Sequence, residues 1–282
     1  MGLMPIRKNI IAVPARLNSS RLPKKVIADI GGKLMITRVL EQCKKSVPES
    51  NIVLCTDSEE LSIIAKNLGI NSLITSSSCS SGSERISSVT EELLKIAWQN
   101  DDFGKKNSND LNKIKESTLI INVQGDQPFL DPSVLDKISD FCLNSEKIPE
   151  VVTPVFKLSK DDIHNPAVVK TILNKEKKAI YFSRAALPFI RNHKKQDWHL
   201  YCDYWGHVGI YGYRADILQN WKSYPVSYLE KNENLEQLRL IYSGIEISTF
   251  PVEGDFLSID TVDQLEKARE ICCKNKKEKY FK

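Results

Sequence analysis

The amino-acid sequence predicts an α/β protein with a mostly parallel sheet flanked by helices. Three observations point there. Apolar runs at 10–14, 51–55 and 118–123 are too short for helices and lack alternation, as expected of strands covered on both faces. Each is followed by a polar turn and then a segment with helical spacing. The resulting order of strand, helix, strand, helix calls for right-handed crossovers in one sheet.

The first strand is expected to stop at Pro14, because proline has no N–H to donate to a central ladder. A loop rich in basic and hydroxyl groups follows, with Arg16, Asn18, Ser19, Ser20, Arg21, Lys24 and Lys25. Loops at the carboxyl ends of parallel strands are where open α/β sheets hold ligands. Guanidinium, ammonium and hydroxyl groups concentrated there suit a nucleoside triphosphate, although the spacing is neither GxxxxGK[ST] nor GxGxxG. An ordinary basic surface loop is the alternative for this stretch alone.

Gly31-Gly32 marks a turn, and Leu34 to Lys45 shows helical spacing. A strand at 51–55 leads through Thr56-Asp57-Ser58 into a helix stopped by Gly69, and 71–74 reads as a further strand. The small, polar stretch 75–82 lies between two patterned elements and so is expected to line a site. A single helix is expected from Ser83, with Ile86, Val89, Leu93, Leu94 and Ala97 on its apolar face. Residues 100–117 lack a period and read as a surface excursion. Asp131 and Pro132 open a helix running to Leu143, and strands are expected at 151–156, 168–173 and 245–250. Residues 205–213 read as one strand, in which Gly206, Gly209 and Gly212 imply close approach of backbone or ligand. Helices are expected over 228–242 and 261–273.

Of 282 residues, 27% are charged and 41% apolar, which is ordinary for a globular protein. The net charge of +4 is carried by Lys274 to Lys282, so the body is neutral and offers no general nucleic-acid surface. Seven cysteines form no CxxC pair and only four histidines accompany them, which argues against a zinc site or disulfide framework and for a reducing cytoplasm. The sequence shows no apolar run of about 18 residues, so no membrane span is expected.

Asp126 follows an apolar strand and a glycine, and Asp260 stands between Ile259 and the cap-like Thr261. Two carboxylates converging on one face would suit Mg²⁺-dependent phosphoryl or nucleotidyl transfer; taken singly, they would serve as a turn residue and a helix cap. His207, alone on an apolar strand, has the profile of a satisfied core residue.

The motifs PARLNSSRLPKK at 14–25, SGSERI at 81–86, NVQGDQP at 122–128, NPAVVK at 165–170, YFSRAALP at 181–188, HVGIYGYR at 207–214, LEQLR at 235–239 and IDT at 259–261 occur in order along nearly the whole chain. In this ordered set the chain resembles the 3-deoxy-manno-octulosonate cytidylyltransferases. The resemblance implies a single nucleotide-diphospho-sugar transferase domain over 1–282. Within it, 1–150 would bind CTP, 151–250 would bind sugar and form a homodimer, and 251–282 would return to the main sheet. It also implies transfer from CTP to a 3-deoxy-octulosonic acid with Mg²⁺, in the service of lipopolysaccharide biosynthesis. Carried over by position, Arg16, Lys25, Asp126 and Asp260 would be catalytic, the two aspartates holding the metal. Ala15, Arg16, Ser19, Ser20, Lys25, Ser81, Arg85 and Gln124 would bind nucleotide. Gln124, Arg184, His207, Tyr211, Glu236 and Gln237 would form the sugar pocket.

Five features depart from the family pattern. Cys79 stands where HxSGT[ED]R has histidine, Ser83 where it has threonine, Gln127 where GDEP has glutamate, and Ser258 where a glycine is usual; 100–117 resembles an insertion. The change at Cys79 raises an 8-amino-substituted octulosonate as an alternative substrate, with neutral drift as the plainer account. A CMP-sialate-type or other sugar nucleotidyltransferase, and a non-catalytic sugar-binding relative, stay open as alternatives. HVGIYGYR and LEQLR favour the octulosonate family, and the retained Arg16, Lys25, Asp126 and Asp260 weigh against a catalytically dead relative.

Overall fold

The computed structural model describes residues 7–19, 22–99, 101–102, 104, 110–254, 256 and 258–280. Ten strands within them form one mixed sheet. In chain order these are β1 (Lys8–Ala15), β2 (Ile52–Thr56), β3 (Asn71–Ile74), β4 (Thr118–Asn122), β5 (Val151–Lys157), β6 (Lys170–Leu173), β7 (Ala179–Ser183), β8 (Trp205–His207), β9 (Tyr211–Arg214) and β10 (Ile247–Pro251). The spatial order is β3-β2-β1-β4-β9-β5-β8-β6-β7, with β10 paired in addition to β5. Pairing is parallel from β3 to β4 and antiparallel from β9 onward, except that β10 runs parallel to β5.

The apolar runs are explained by helices on both faces. Ile11, Val13 and Ala15 of β1 enter one core, while Ile10 and Ala12 enter the other. The first core is closed by α1 (Met35–Cys43), α2 (Glu59–Asn67) and α6 (Pro132–Leu143). The second is closed by α4 (Thr90–Trp98), α5 (Leu111–Glu116) and α7 (Ala215–Gln219). Cys43, Cys55 and Cys142 are buried core thiols, and burial pushes each up to about 12. All seven cysteines are free.

Several boundaries differ from expectation for physical reasons. β1 continues through Pro14, which pairs with Cys55 of β2. Ala12 O accepts from Val123 N, so the even-numbered residues of β1 direct their polar groups towards β4. Pro14 lies beyond the end of that ladder at Asn122, so its missing N–H costs no strand bond. The helix expected from Ser83 is two, α3 (Gly82–Ser87) and α4, because Val89 leaves helical geometry at φ −126°, ψ 21°. Likewise 205–213 is two strands, separated at Gly209 with φ +81°. The segment 228–242 is α8 (Tyr228–Glu233) and α9 (Leu238–Tyr242), separated by Asn234 in the left-handed region at φ 53°. Within 100–117, α5 forms with Asp110 as its cap. The final helix, α10, spans Val262–Tyr280 and so extends past Cys273.

Candidate active site

The carboxyl ends of β1 and β4 lie side by side, and the loops that leave them form two walls of a cavity of about 260 Å³. A Cβ on Gly125 would come within 3.3 Å of both Ala15 Cβ and Pro14 O, so the closeness of the two loops favours glycine there. Ser81 forms the third wall. It caps α3, its hydroxyl accepting from Glu84 N at 3.1 Å. The cavity is lined by Ala15, Arg16, Ser19, Lys25, Ser81, Arg85, Gln124, Asp126 and Asp260, together with Cys79 and Ser80. Every nucleotide and metal position expected from the sequence is therefore in one place, apart from Ser20, which lies outside the described residues.

Lys24, at φ 54°, turns the chain into a 3-10 turn at Lys25–Ile27 and aims Lys25 inward. Lys25 Nζ donates to Asp126 Oδ2 at 2.7 Å and to Asp260 Oδ1 at 2.9 Å. Burial pulls its pKa down, but the charge and hydrogen bonds of the two aspartates outweigh this, and the ammonium titrates above its ordinary value. Two carboxylates 134 positions apart thus meet at a single cation. That donor set fits Mg²⁺, which takes one or two protein carboxylates and completes its octahedron with phosphate and water. Among the described residues no group of three or more His, Cys, Asp or Glu could hold a metal. Arg85 is 3% exposed and fixed, donating to Asp57 Oδ2 at 3.0 Å and to the Thr75 hydroxyl. Arg16 is exposed at the rim.

Of the expected sugar residues, only Gln124 lines this cavity. Arg184 donates to Glu233 O at 2.9 Å and Pro166 O at 3.1 Å, which ties it to α8 and the 165–168 turn. His207 and Tyr211 pack with tilted rings, 5.1 Å between centroids and 51° between planes. The Thr153 hydroxyl donates to Ile210 O, so it accepts from His207 Nε2 at 3.1 Å, which fixes the proton on Nε2. Burial holds His207 down at about 3, and the ring is neutral. Glu236 is pushed above the usual carboxylate range by burial, against the opposing effects of the Ser81 and Ser83 hydroxyls and the Arg239 charge. Tyr211 Oη, Glu236 Oε2 and Gln237 Nε2 are buried without a hydrogen-bond partner.

Two fully buried polar residues that the sequence did not mark as site residues join these groups, Asn122 and Ser83, the latter noted only as a departure from the family pattern. The signals were a polar residue ending the apolar run 118–122, a serine just inside a helix start, and the serine-for-threonine departure at Ser83.

The cytidylyltransferase family model matches residues 10–247. The 3-deoxy-manno-octulosonate cytidylyltransferase of Polynucleobacter necessarius is 34% identical over 270 residues, 94% of this chain and 96% of the relative. That of Chloroherpeton thalassium is 32% identical, covering 96% of this chain and all of the relative. Among solved structures, a CMP:2-keto-3-deoxy-manno-octonic acid synthetase complexed with CTP superimposes with TM-score 0.80 at 31% identity, covering 95% of this chain and 99% of that one.

Proposed function

Because the chain belongs to the 3-deoxy-manno-octulosonate cytidylyltransferase family, we propose that it transfers the cytidylyl group of CTP to a 3-deoxy-octulosonic acid and releases pyrophosphate. One observation carries this: the basic loop after β1 and the Asp126–Asp260 pair open on the same cavity. Arg16, Ser19, Lys25, Ser81 and Arg85 hold the nucleotide, and Ala15 and Gln124 shape its seat. Arg16 and Lys25 offset the charge that builds on the α-phosphate as the anomeric C2 oxygen bonds to phosphorus and pyrophosphate departs. Asp126 and Asp260 would hold magnesium, which would supply further neutralisation of phosphate charge. Gln124, Arg184, His207, Tyr211, Glu236 and Gln237 orient the sugar, and the unpartnered buried atoms of Tyr211, Glu236 and Gln237 support this role. The product is an activated sugar for lipopolysaccharide assembly in the cytoplasm; among the described residues no helix is long and apolar enough to cross a membrane. A homodimer formed through the second half accounts for its exposed Ile180, Phe189, Leu200, Tyr201 and Tyr228, and sedimentation will measure it.

Pyrophosphate release from CTP, Mg²⁺ and 3-deoxy-manno-octulosonate tests the reaction. Wild type is expected to release it and Asp126→Asn to lose it; full activity in the variant, or none in wild type, defeats the proposal. The 8-amino-substituted sugar is the second substrate candidate, because Cys79 lines the cavity itself. A clear kcat/KM preference for the plain sugar removes it.

A further inference from the structure

The chain from the cavity wall to Glu236 is a directed series of hydrogen bonds. Gln124 Nε2 donates to Asn122 Oδ1 at 2.9 Å. That fixes the Asn122 amide, whose Nδ2 reaches Ser83 Oγ at 3.4 Å. Ser83 Oγ donates to Glu236 Oε1 at 2.9 Å, and Tyr213 Oη lies 3.3 Å from the same oxygen. A hydroxyl has one proton and two lone pairs, so with its proton on Glu236 it accepts from Asn122 and Tyr213 and is fully used. The two ends then have defined polarity. Gln124 has committed an N–H, and its carbonyl oxygen is left for an incoming donor. Glu236 has its Oε1 held and its Oε2 without a partner.

We propose that Ser83 and Asn122 are positioning residues for the acceptor sugar: their one-way hydrogen-bond chain fixes which atoms Gln124 and Glu236 turn towards sugar hydroxyls. The proposal rests on the assignment of Glu236 to the sugar pocket. Two features of the fold agree with it. A Cβ on Gly82 would stand 3.1 Å from both terminal atoms of the Gln124 amide, so the glycine next to Ser83 leaves room for that amide in this orientation. Ser83 is on α3, Asn122 on β4 and Glu236 between α8 and α9, so three separate elements are locked by one hydroxyl. A serine that only satisfied the core would not need its bonds to run from Gln124 on the cavity wall to the buried Glu236.

The test is a double-mutant cycle of Ser83→Ala and Glu236→Gln, with Ser83→Thr and Asn122→Asp as companions, read by steady-state kinetics in both substrates. Ser83→Ala is expected to raise KM for the octulosonate about tenfold, with kcat and KM for CTP changed less than about twofold. Ser83→Thr keeps the hydroxyl and should restore KM. Asn122→Asp keeps the volume but removes the donor to Ser83, and should match Ser83→Ala. In the Glu236→Gln background the Ser83→Ala effect should shrink below about threefold. Equal losses for both substrates, full additivity, or no rescue by threonine would overturn the positioning role and leave Glu236 in the pocket. An unchanged sugar KM in Glu236→Gln alone overturns both the pocket assignment and this inference, while pyrophosphate release still reports on the reaction.

Discussion

At the residue scale, Lys25 does more than its place in a basic loop implies. Its ammonium satisfies two carboxylates that would otherwise repel each other in a partly buried site. Lys25→Met is expected to lower kcat about a hundredfold, the typical cost of removing one group that stabilises transition-state charge. It should also lower Tm in the absence of divalent cation, and Mg²⁺ should recover more stability in the variant than in wild type; a calorimetric titration with and without the ion checks both. His207 makes a prediction about pH. Its folded pKa is depressed from 6.5 to about 3 by burial. The unfolded chain therefore takes up a proton that the folded chain refuses. The stability from this histidine is complete above pH 6.5 and is lost as pH falls towards 3. His207 as a residue is only partly buried, so the loss is smaller than full burial would give. His207→Asn should flatten the acid-side fall in Tm over that window relative to wild type; an unchanged slope would assign the fall to other groups.

At the scale of elements, the glycines of 205–213 serve packing and turning. A Cβ on Gly212 would sit 2.8 Å from Val152 Cγ1 and 2.9 Å from Ile138 Cγ2, both inside the sheet–helix core. Gly212→Ala should destabilise the fold by about 1–3 kcal/mol, seen as a lower denaturant midpoint at unchanged m-value. The same segment shows how far the sequence could be read. β1, β2 and β4 were legible because strands covered on both faces leave unbroken apolar runs. The breaks at Val89, Gly209 and Asn234 were not, because apolar spacing continues across each and only local backbone geometry interrupts it. β7 was missed because its first three residues are at least partly exposed and it has only Phe182 and Ser183 buried. Only Ile114 of α5 is buried, too little to impose a period on a charged stretch. In the site, charged residues at strand ends were conspicuous. The burial of Ser83 and Asn122 was not, since apolar patterning does not separate a buried serine or asparagine from an ordinary polar position; the family motif marked Ser83 only as a departure.

For the whole molecule, the decisive step is that Asp260 returns from the far end of the chain to the first half. Two devices place it. Ile259 N donates to Asp126 O at 3.0 Å, joining the two aspartate loops through the backbone. Immediately after it, Thr261 and Gln264 form a reciprocal cap: Gln264 N donates to Thr261 Oγ1 at 3.3 Å, while Gln264 Oε1 accepts from Thr261 N at 3.0 Å and Asp260 N at 2.8 Å. The helix begun there buries Leu265, Ala268 and Cys272 against Ile30 and Met35, and Arg269 donates to Asp29 O at 3.0 Å. The neighbouring glycine is part of this seat, since a Cβ on Gly31 would lie 2.7 Å from Cys272 Cβ. α10 therefore acts as a clamp on a residue it does not contain. Deleting 262–282 retains Asp260 but removes the clamp, and should raise the Mg²⁺ concentration for half-maximal activity at least about tenfold. The main sheet, whose cores draw nothing from α10, should still unfold cooperatively. Truncation after Cys273 is the control: Leu265, Ala268 and Cys272 all precede that cut, so its Mg²⁺ dependence should match wild type. If the longer deletion also matches wild type, the backbone bond from Ile259 is enough to place Asp260.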